Sequence, residues 1–209
     1  MNYRNPSTTI LSSSLIFTVV LVSLAPVEAK DTTNQNGHGT QTRFLEGAHM
    51  AEMYLKTSAF QPGSEMPPQL TCEGEDLSPP LQWSGAPKGT QSFALIAEDP
   101  DAPSGTFTHW VLYDLPPSVS ELPQGLPRRE HLGFGGLQGT NDFGKIGYGG
   151  PCPPAGKPHR YFFKLYAMDT VLGLKPGAKK QDVERAMEGH VLAQAEIMGK
   201  YQRKGKAAA

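Results

Sequence analysis

His159-Arg160-Tyr161-Phe162-Phe163-Lys164-Leu165-Tyr166-Ala167-Met168-Asp169 is the longest strand signal in the chain. It is aromatic and apolar, it carries no glycine or proline, and strand geometry sends alternate side chains to opposite faces. His159, Tyr161, Phe163, Leu165 and Ala167 share one face. Arg160, Phe162, Lys164, Tyr166 and Met168 share the other. His159 and Tyr161 therefore begin an otherwise apolar face. Upstream, Ser92 to Glu98 and Thr108 to Asp114 are shorter runs of the same kind, bounded by turn residues, and both read as buried strands. In the second of these, strict alternation puts His109, Val111 and Tyr113 on one face. Strand signals begin near Met53.

The connections are also informative. Residues 115–130 are proline-rich. Residues 133–156 hold nine glycines and three prolines, a composition that predicts neither a helix nor a regular strand. Glycine and proline are set there among Phe134, Phe143 and Tyr148, which favours an ordered loop whose backbone approaches something closely. Beyond the long strand, Val183, Met187, Val191, Ala195 and Met198 recur at three- or four-residue spacing, and Leu192 joins them. This predicts a helix over Gln181 to Tyr201, with a stripe that packs on the core. Strands followed by one terminal helix favour a single, mainly β domain built on antiparallel sheet.

Composition agrees. The 209 residues include 23 glycines and 19 prolines, below the level of a disordered chain. Lys and Arg number 19 against 20 Asp and Glu, which leaves no basic surplus for a nucleic-acid backbone. At the start, Arg4, the apolar run Leu15 to Ala25 and the small residues flanking Glu28 form a secretory signal layout. The run is too short to span a membrane, which takes about 20 residues. Cleavage is expected after Ala29. The expected organisation is a signal over 1–29, a polar lead-in over 30–42 and one domain over 43–209 with a frayed tail from Arg203, exported to a periplasm or secreted. In an oxidising compartment Cys72 and Cys152 could pair or stand as two separate thiols.

Chemistry is concentrated around Glu98-Asp99-Pro100-Asp101-Ala102-Pro103, directly after the first buried strand. The prolines stiffen the backbone. They can aim the Asp99 and Asp101 carboxylates into one small volume, or leave them to accept turn N–H groups. The competing motifs fail. Gly139 to Ile146 approaches a phosphate-binding P-loop but has Ile146 where Ser or Thr must reach magnesium. No G-x-S-x-G elbow and no H-E-x-x-H pattern occurs.

Asp99-Pro100-Asp101-Ala102-Pro103-Ser104, His109-Trp110-Val111-Leu112-Tyr113 and Gly149-Gly150-Pro151-Cys152-Pro153-Pro154 before His159-Arg160-Tyr161 resemble the phosphatidylethanolamine-binding protein family. Ser78 to Trp83 and Gly189 to Ala193 are similar to its bacterial, Raf-kinase-inhibitor-like branch. The resemblance implies a large antiparallel sheet packed by a smaller one, with peripheral helices including a C-terminal one. It also implies a small anion pocket made by Asp99, Asp101, Pro103, His109, Gly150, Pro151, His159 and Tyr161, with Arg160 turned to the other face in structural hydrogen bonds. No catalytic residue, metal or cofactor is implied. The expected guest is a phosphate-bearing or similar small anion, with membrane contact at most peripheral, through lipid headgroups. Regulation of a protease or kinase through the same pocket is the alternative, and weak hydrolysis a third. Carboxylates beside the imidazoles are expected to raise the histidine pKa values, so that imidazolium and the glycine-loop N–H groups donate to the guest.

Overall fold

The structure, a computed structural model, describes residues 52–203. The signal segment, the polar lead-in and all but the first residue of the expected tail lie outside the described residues. Among the described residues, nine strands form two sheets, and one α-helix packs beside them. β1 (Tyr54–Lys56), β2 (Leu81–Ser84) and β5 (Glu121–Leu122) make a small antiparallel sheet in the order β1-β2-β5. The larger sheet takes β3 (Ser92–Asp99), β4 (Phe107–Leu115), β6 (Leu137–Thr140), β7 (His159–Met168), β8 (Gly177–Lys179) and β9 (Val191–Tyr201) in the order β8-β6-β4-β3-β7-β9. Its pairs are antiparallel except β6 with β8.

The long aromatic stretch is β7, and it lies between β3 and β9. Its alternation is as read: His159, Tyr161, Phe163, Leu165 and Ala167 are buried, while the intervening residues are less so. On that face Phe93, Leu95, Trp110, Leu112, Phe163 and Ile197 pack with Leu81, Trp83 and Leu122 of the small sheet. On the opposite face Ala94, Ile96, Val111, Tyr113 and Met168 pack with Val183 and Met187 of α1 (Lys180–Met187). The layers are small sheet, large sheet, helix.

Two expectations are corrected. The terminal helix stops at Met187, and Val191–Tyr201 is a strand. Gly189, at φ 79°, turns the chain after the helix, a conformation that disfavours any side chain. Beyond it a second periodicity takes over. Ala195, Ile197, Gly199 and Tyr201 alternate as buried positions, and β9 pairs with β7 along nearly its whole length. Those ladder bonds outweigh the weaker three-and-four spacing. In the glycine-rich stretch, Leu137–Thr140 forms β6 against β4. Gln138 anchors it there: its side-chain amide donates to the Pro127 and Arg129 carbonyls, at 2.7 and 2.8 Å, and accepts the Trp110 indole N–H at 2.9 Å.

Cys72 and Cys152 are joined by a disulfide across 80 residues of sequence.

Candidate ligand-binding site

A cavity of about 270 Å³ opens at the end of the large sheet where β3 ends and β7 begins. Asp99, His109, His159 and Tyr161 line it, with Ala102, Pro103 and Ser104 from the loop after β3 and Cys152, Pro153 and Pro154 from the loop before β7. Phe107 and Phe143 complete the wall.

Each polar side chain arrives by a definite local route. Asp99 is the last residue of β3, on the same face as Leu95 and Ala97. His159 is the first residue of β7. Its Nδ1–H donates to Asp99 Oδ2 at 2.8 Å; a carboxylate only accepts, so the proton on that nitrogen is assigned by its partner. Nε2 is left as the second ring nitrogen. Asp99 Oδ1 accepts the Asp101 N–H at 2.8 Å, so this carboxylate both holds the histidine and closes the turn. His109 reaches the cavity by an irregularity. Ala97 pairs with Trp110 while Glu98 pairs with Thr108, leaving His109 as an extra residue on β4. This β-bulge re-aims the side chain. His109 thus meets Tyr161 at 5.2 Å between ring centres, rather than sharing the face of Val111 and Tyr113, which strict alternation assigns it.

The charge pattern differs from the expected one in three ways. Burial is the largest influence on His109 and pushes its imidazole below the ordinary value, against the opposite pull of the Gly149 carbonyl and Asp99. His109 Nδ1–H donates to Gly149 O at 2.6 Å, and the neutral ring presents a lone pair on Nε2. Second, Asp101 does not line the cavity. It accepts from Arg160 Nε at 2.8 Å, Nη2 at 2.6 Å and the Arg160 backbone N–H at 2.9 Å. These bonds to Arg160 hold its carboxyl down at about 2. The clamp is the structural role expected of Arg160, and it ties the residue after His159 to the loop carrying Pro103. Third, Gly150 and Pro151 do not line the cavity, and Cys152, Pro153 and Pro154 take their place. The glycine-loop donors are already engaged: Gly149 N–H with His109 O at 2.9 Å and Gly150 N–H with Asp76 Oδ1 at 2.6 Å. A Cβ on Gly150 would sit 2.3 Å from Leu70 O. The close approach that needs glycine here is to the 70–76 segment.

One group remains uncommitted. Tyr161 is 2% exposed, and its hydroxyl makes no hydrogen bond among the described residues. Burial and the nearby Asp99 carboxylate raise its pKa, so it is a donor at any ordinary pH. A buried hydroxyl without a partner, in the wall of a cavity, is the kind of group a bound guest satisfies. Sequence patterning places Phe143 in the ordered glycine-rich loop without assigning it to the site, and it does not single out Phe107; their rings stand 4.7 Å apart and each lies near His109. For Phe107 the available signal was its position two residues before His109. Among the described residues, no group of three or more His, Cys, Asp or Glu side chains is placed to hold a metal ion.

The opposite face of β3 carries a different carboxylate. Glu98 lies between Lys164 Nζ, at 2.5 Å, and Lys180 Nζ, pinning α1 to the sheet. Burial raises its pKa, but the hydrogen bonds from Lys164 and Lys180 outweigh that and leave it below the ordinary value of a glutamate. With the folded value below the unfolded one, this stabilisation is present above about pH 4.5 and is lost as pH falls through the folded value. His109 acts in the same direction, because its depressed imidazole takes up a proton more readily on unfolding. Glu98→Gln is expected to lower stability by about 2 kcal/mol at pH 7, since it leaves the poorly exposed Lys180 ammonium short of a counter-charge. The gap should narrow toward pH 3.5. Urea unfolding at the two pH values checks this; a gap unchanged by pH would refute the assignment.

The fold and site define a two-sheet β protein with a small cavity at one end of the larger sheet, polar at its floor and apolar at its walls. The family profile described as phosphatidylethanolamine-binding protein matches residues 56–202. The UPF0098 protein of Methanothermobacter thermautotrophicus is 54% identical over 151 residues, which cover 72% of this chain and 99% of that one. The UPF0098 protein of Aquifex aeolicus is 50% identical over 162 residues, covering 77% and 93%. Among solved structures, E. coli YbcL, described as a member of the mammalian PEBP family, superposes with a TM-score of 0.69 at 37% identity, over 74% of this chain and all of that one. A PEBP homologue from Chlamydia trachomatis superposes with a TM-score of 0.67 at 40% identity, over 74% and 99%. The chain belongs to the phosphatidylethanolamine-binding protein family.

Proposed function

We propose that this chain is an exported protein that binds a phosphate-bearing headgroup, or a similar small anion, in the β3–β7 cavity and releases it unchanged. The observation that carries the reading is the buried, unpartnered Tyr161 hydroxyl beside the Asp99–His159 pair. Tyr161 O–H and, when protonated, His159 Nε2–H supply two donors for an anion. Asp99 holds the His159 ring in place through the Nδ1–H contact, which leaves Nε2 for the guest. The volume of about 270 Å³ suits a headgroup better than a whole lipid. The walls of Phe107, Phe143 and prolines exclude water around those donors, which strengthens them. The family description of the matching profile supports the same class of guest. Export rests on the N-terminal signal layout and fits the disulfide.

Calorimetry with inorganic phosphate and with phosphoethanolamine tests the reading. His159→Ala is expected to weaken binding about tenfold or more, and Tyr161→Phe by several-fold, as charge-assisted and neutral hydrogen bonds are lost. Recovery of the ligand unchanged after long incubation would accord with binding without turnover. Equal affinity in wild type and both variants would place the guest elsewhere.

A further inference from the structure

Next to the first cavity lies a second, of about 150 Å³. The two share Phe143 and the disulfide residue Cys152. Their electrostatics differ. The first holds the Asp99 carboxylate and two imidazoles, one of them kept neutral by burial. The second is lined by Arg128, Lys145 and Asp76. The Asp76 carboxylate is committed on both oxygens, to the Gly150 N–H and to Arg128 Nη2. Arg128 Nε donates to Tyr148 O at 2.8 Å, which fixes the guanidinium in the wall. Lys145 makes no ion pair among the described residues. One cation is thus neutralised and rigidly placed, and one is uncompensated, around a hollow the size of a small oxyanion.

We propose that this second cavity is a separate anion site, built by Lys145 and Arg128 to take a phosphomonoester group next to the first cavity. The Lys145 ammonium supplies the net charge, and Arg128 supplies the Nη1 donors that Asp76 and Tyr148 leave uncommitted. A ligand with one anionic group can use either hollow. A ligand with two such groups can span Phe143 and use both.

The test is amide chemical-shift mapping on the intact, oxidised protein, titrated with inorganic phosphate and, separately, with phosphoethanolamine. Amides of Arg128 and Lys145 report the second cavity; those of Ala102 and Ser104 report the first. The expected result is saturable shifts at Arg128 and Lys145 with both probes. In Lys145→Glu these should weaken about tenfold or more while the Ser104 response is kept, and Lys145→Arg should restore them. Shifts confined to Ala102 and Ser104 would overturn the second site and leave the proposed function standing. Shifts at neither pair would overturn both. A response at Lys145 to phosphoethanolamine without one to inorganic phosphate would overturn the assignment to the phosphate group.

Discussion

Trp110→Ala is expected to lower the unfolding free energy by about 5 kcal/mol, at or beyond the upper end for a large-to-small core change. Trp110 is fully buried at the centre of β4. Its indole stands edge-on to Tyr148 at 5.5 Å, and the Tyr148 hydroxyl in turn donates to Leu70 O at 2.8 Å. Removing the ring leaves a cavity under the loop that carries Gly149 to Pro154. It also strips the Gln138 side-chain oxygen of its donor, at 2.9 Å in the wild type, in a place water does not reach. The two contributions can be separated. Trp110→Phe keeps most of the volume and loses the N–H, so about 2 kcal/mol is expected. Trp83 is the control. It is nearly as buried, but its indole N–H makes no hydrogen bond among the described residues, so Trp83→Phe should stay below about 1.5 kcal/mol. Chemical denaturation followed by circular dichroism measures all three variants. Equal losses in the two Trp→Phe variants would show that the Gln138 contact contributes nothing.

Replacing Cys72 and Cys152 together by serine should lower stability by about 3–4 kcal/mol, or roughly 10 °C in melting temperature. The argument is the length of the bridged segment. With the partners 80 positions apart in sequence, an uncrosslinked unfolded chain has far more conformations available, and the loop-closure estimate reaches about 4–5 kcal/mol as an upper figure. The folded state loses little in local pairing, because the Cys72 N–H still donates to Pro151 O at 3.1 Å beside the bridge. Thermal melts of wild type with and without a dithiol reductant, set against the double variant, check this. Coincident melts of oxidised wild type and double variant would refute a stabilising role.

The strand core was legible because β3, β4 and β7 are short apolar runs between turn residues, and burial of such runs needs little besides a sheet. The C-terminal segment misled for an equally physical reason. Val191, Ala195 and Met198 satisfy a helical spacing while Ala195, Ile197 and Tyr201 satisfy a strand spacing, and no local preference separates them decisively. The free ladder edge of β7 does. At the site, Asp99, His109, His159, Tyr161 and Pro103 were readable from their motifs, and the cavity brings them together. Asp101 was not assignable, because Arg160, though 59 residues distant in sequence, captures its carboxylate at the rim. Gly150 and Pro151 were displaced from the wall by their neighbours Cys152 to Pro154, a shift of a residue or two that no periodicity in a glycine-rich loop can set.

By itself the sequence determined the β class and the inward face of β7, since alternation and burial of apolar side chains act over a few residues; the groups of the cavity were implied by the resemblance of its motifs to a known family. Only the tertiary structure decided the protonation and the donors available. Burial depresses His109, the β4 bulge turns its ring into the cavity, and the glycine-loop amides are consumed by Asp76 and the His109 carbonyl. Each of these depends on contacts between segments tens of residues apart, and desolvation and hydrogen-bond competition are properties of that assembled environment.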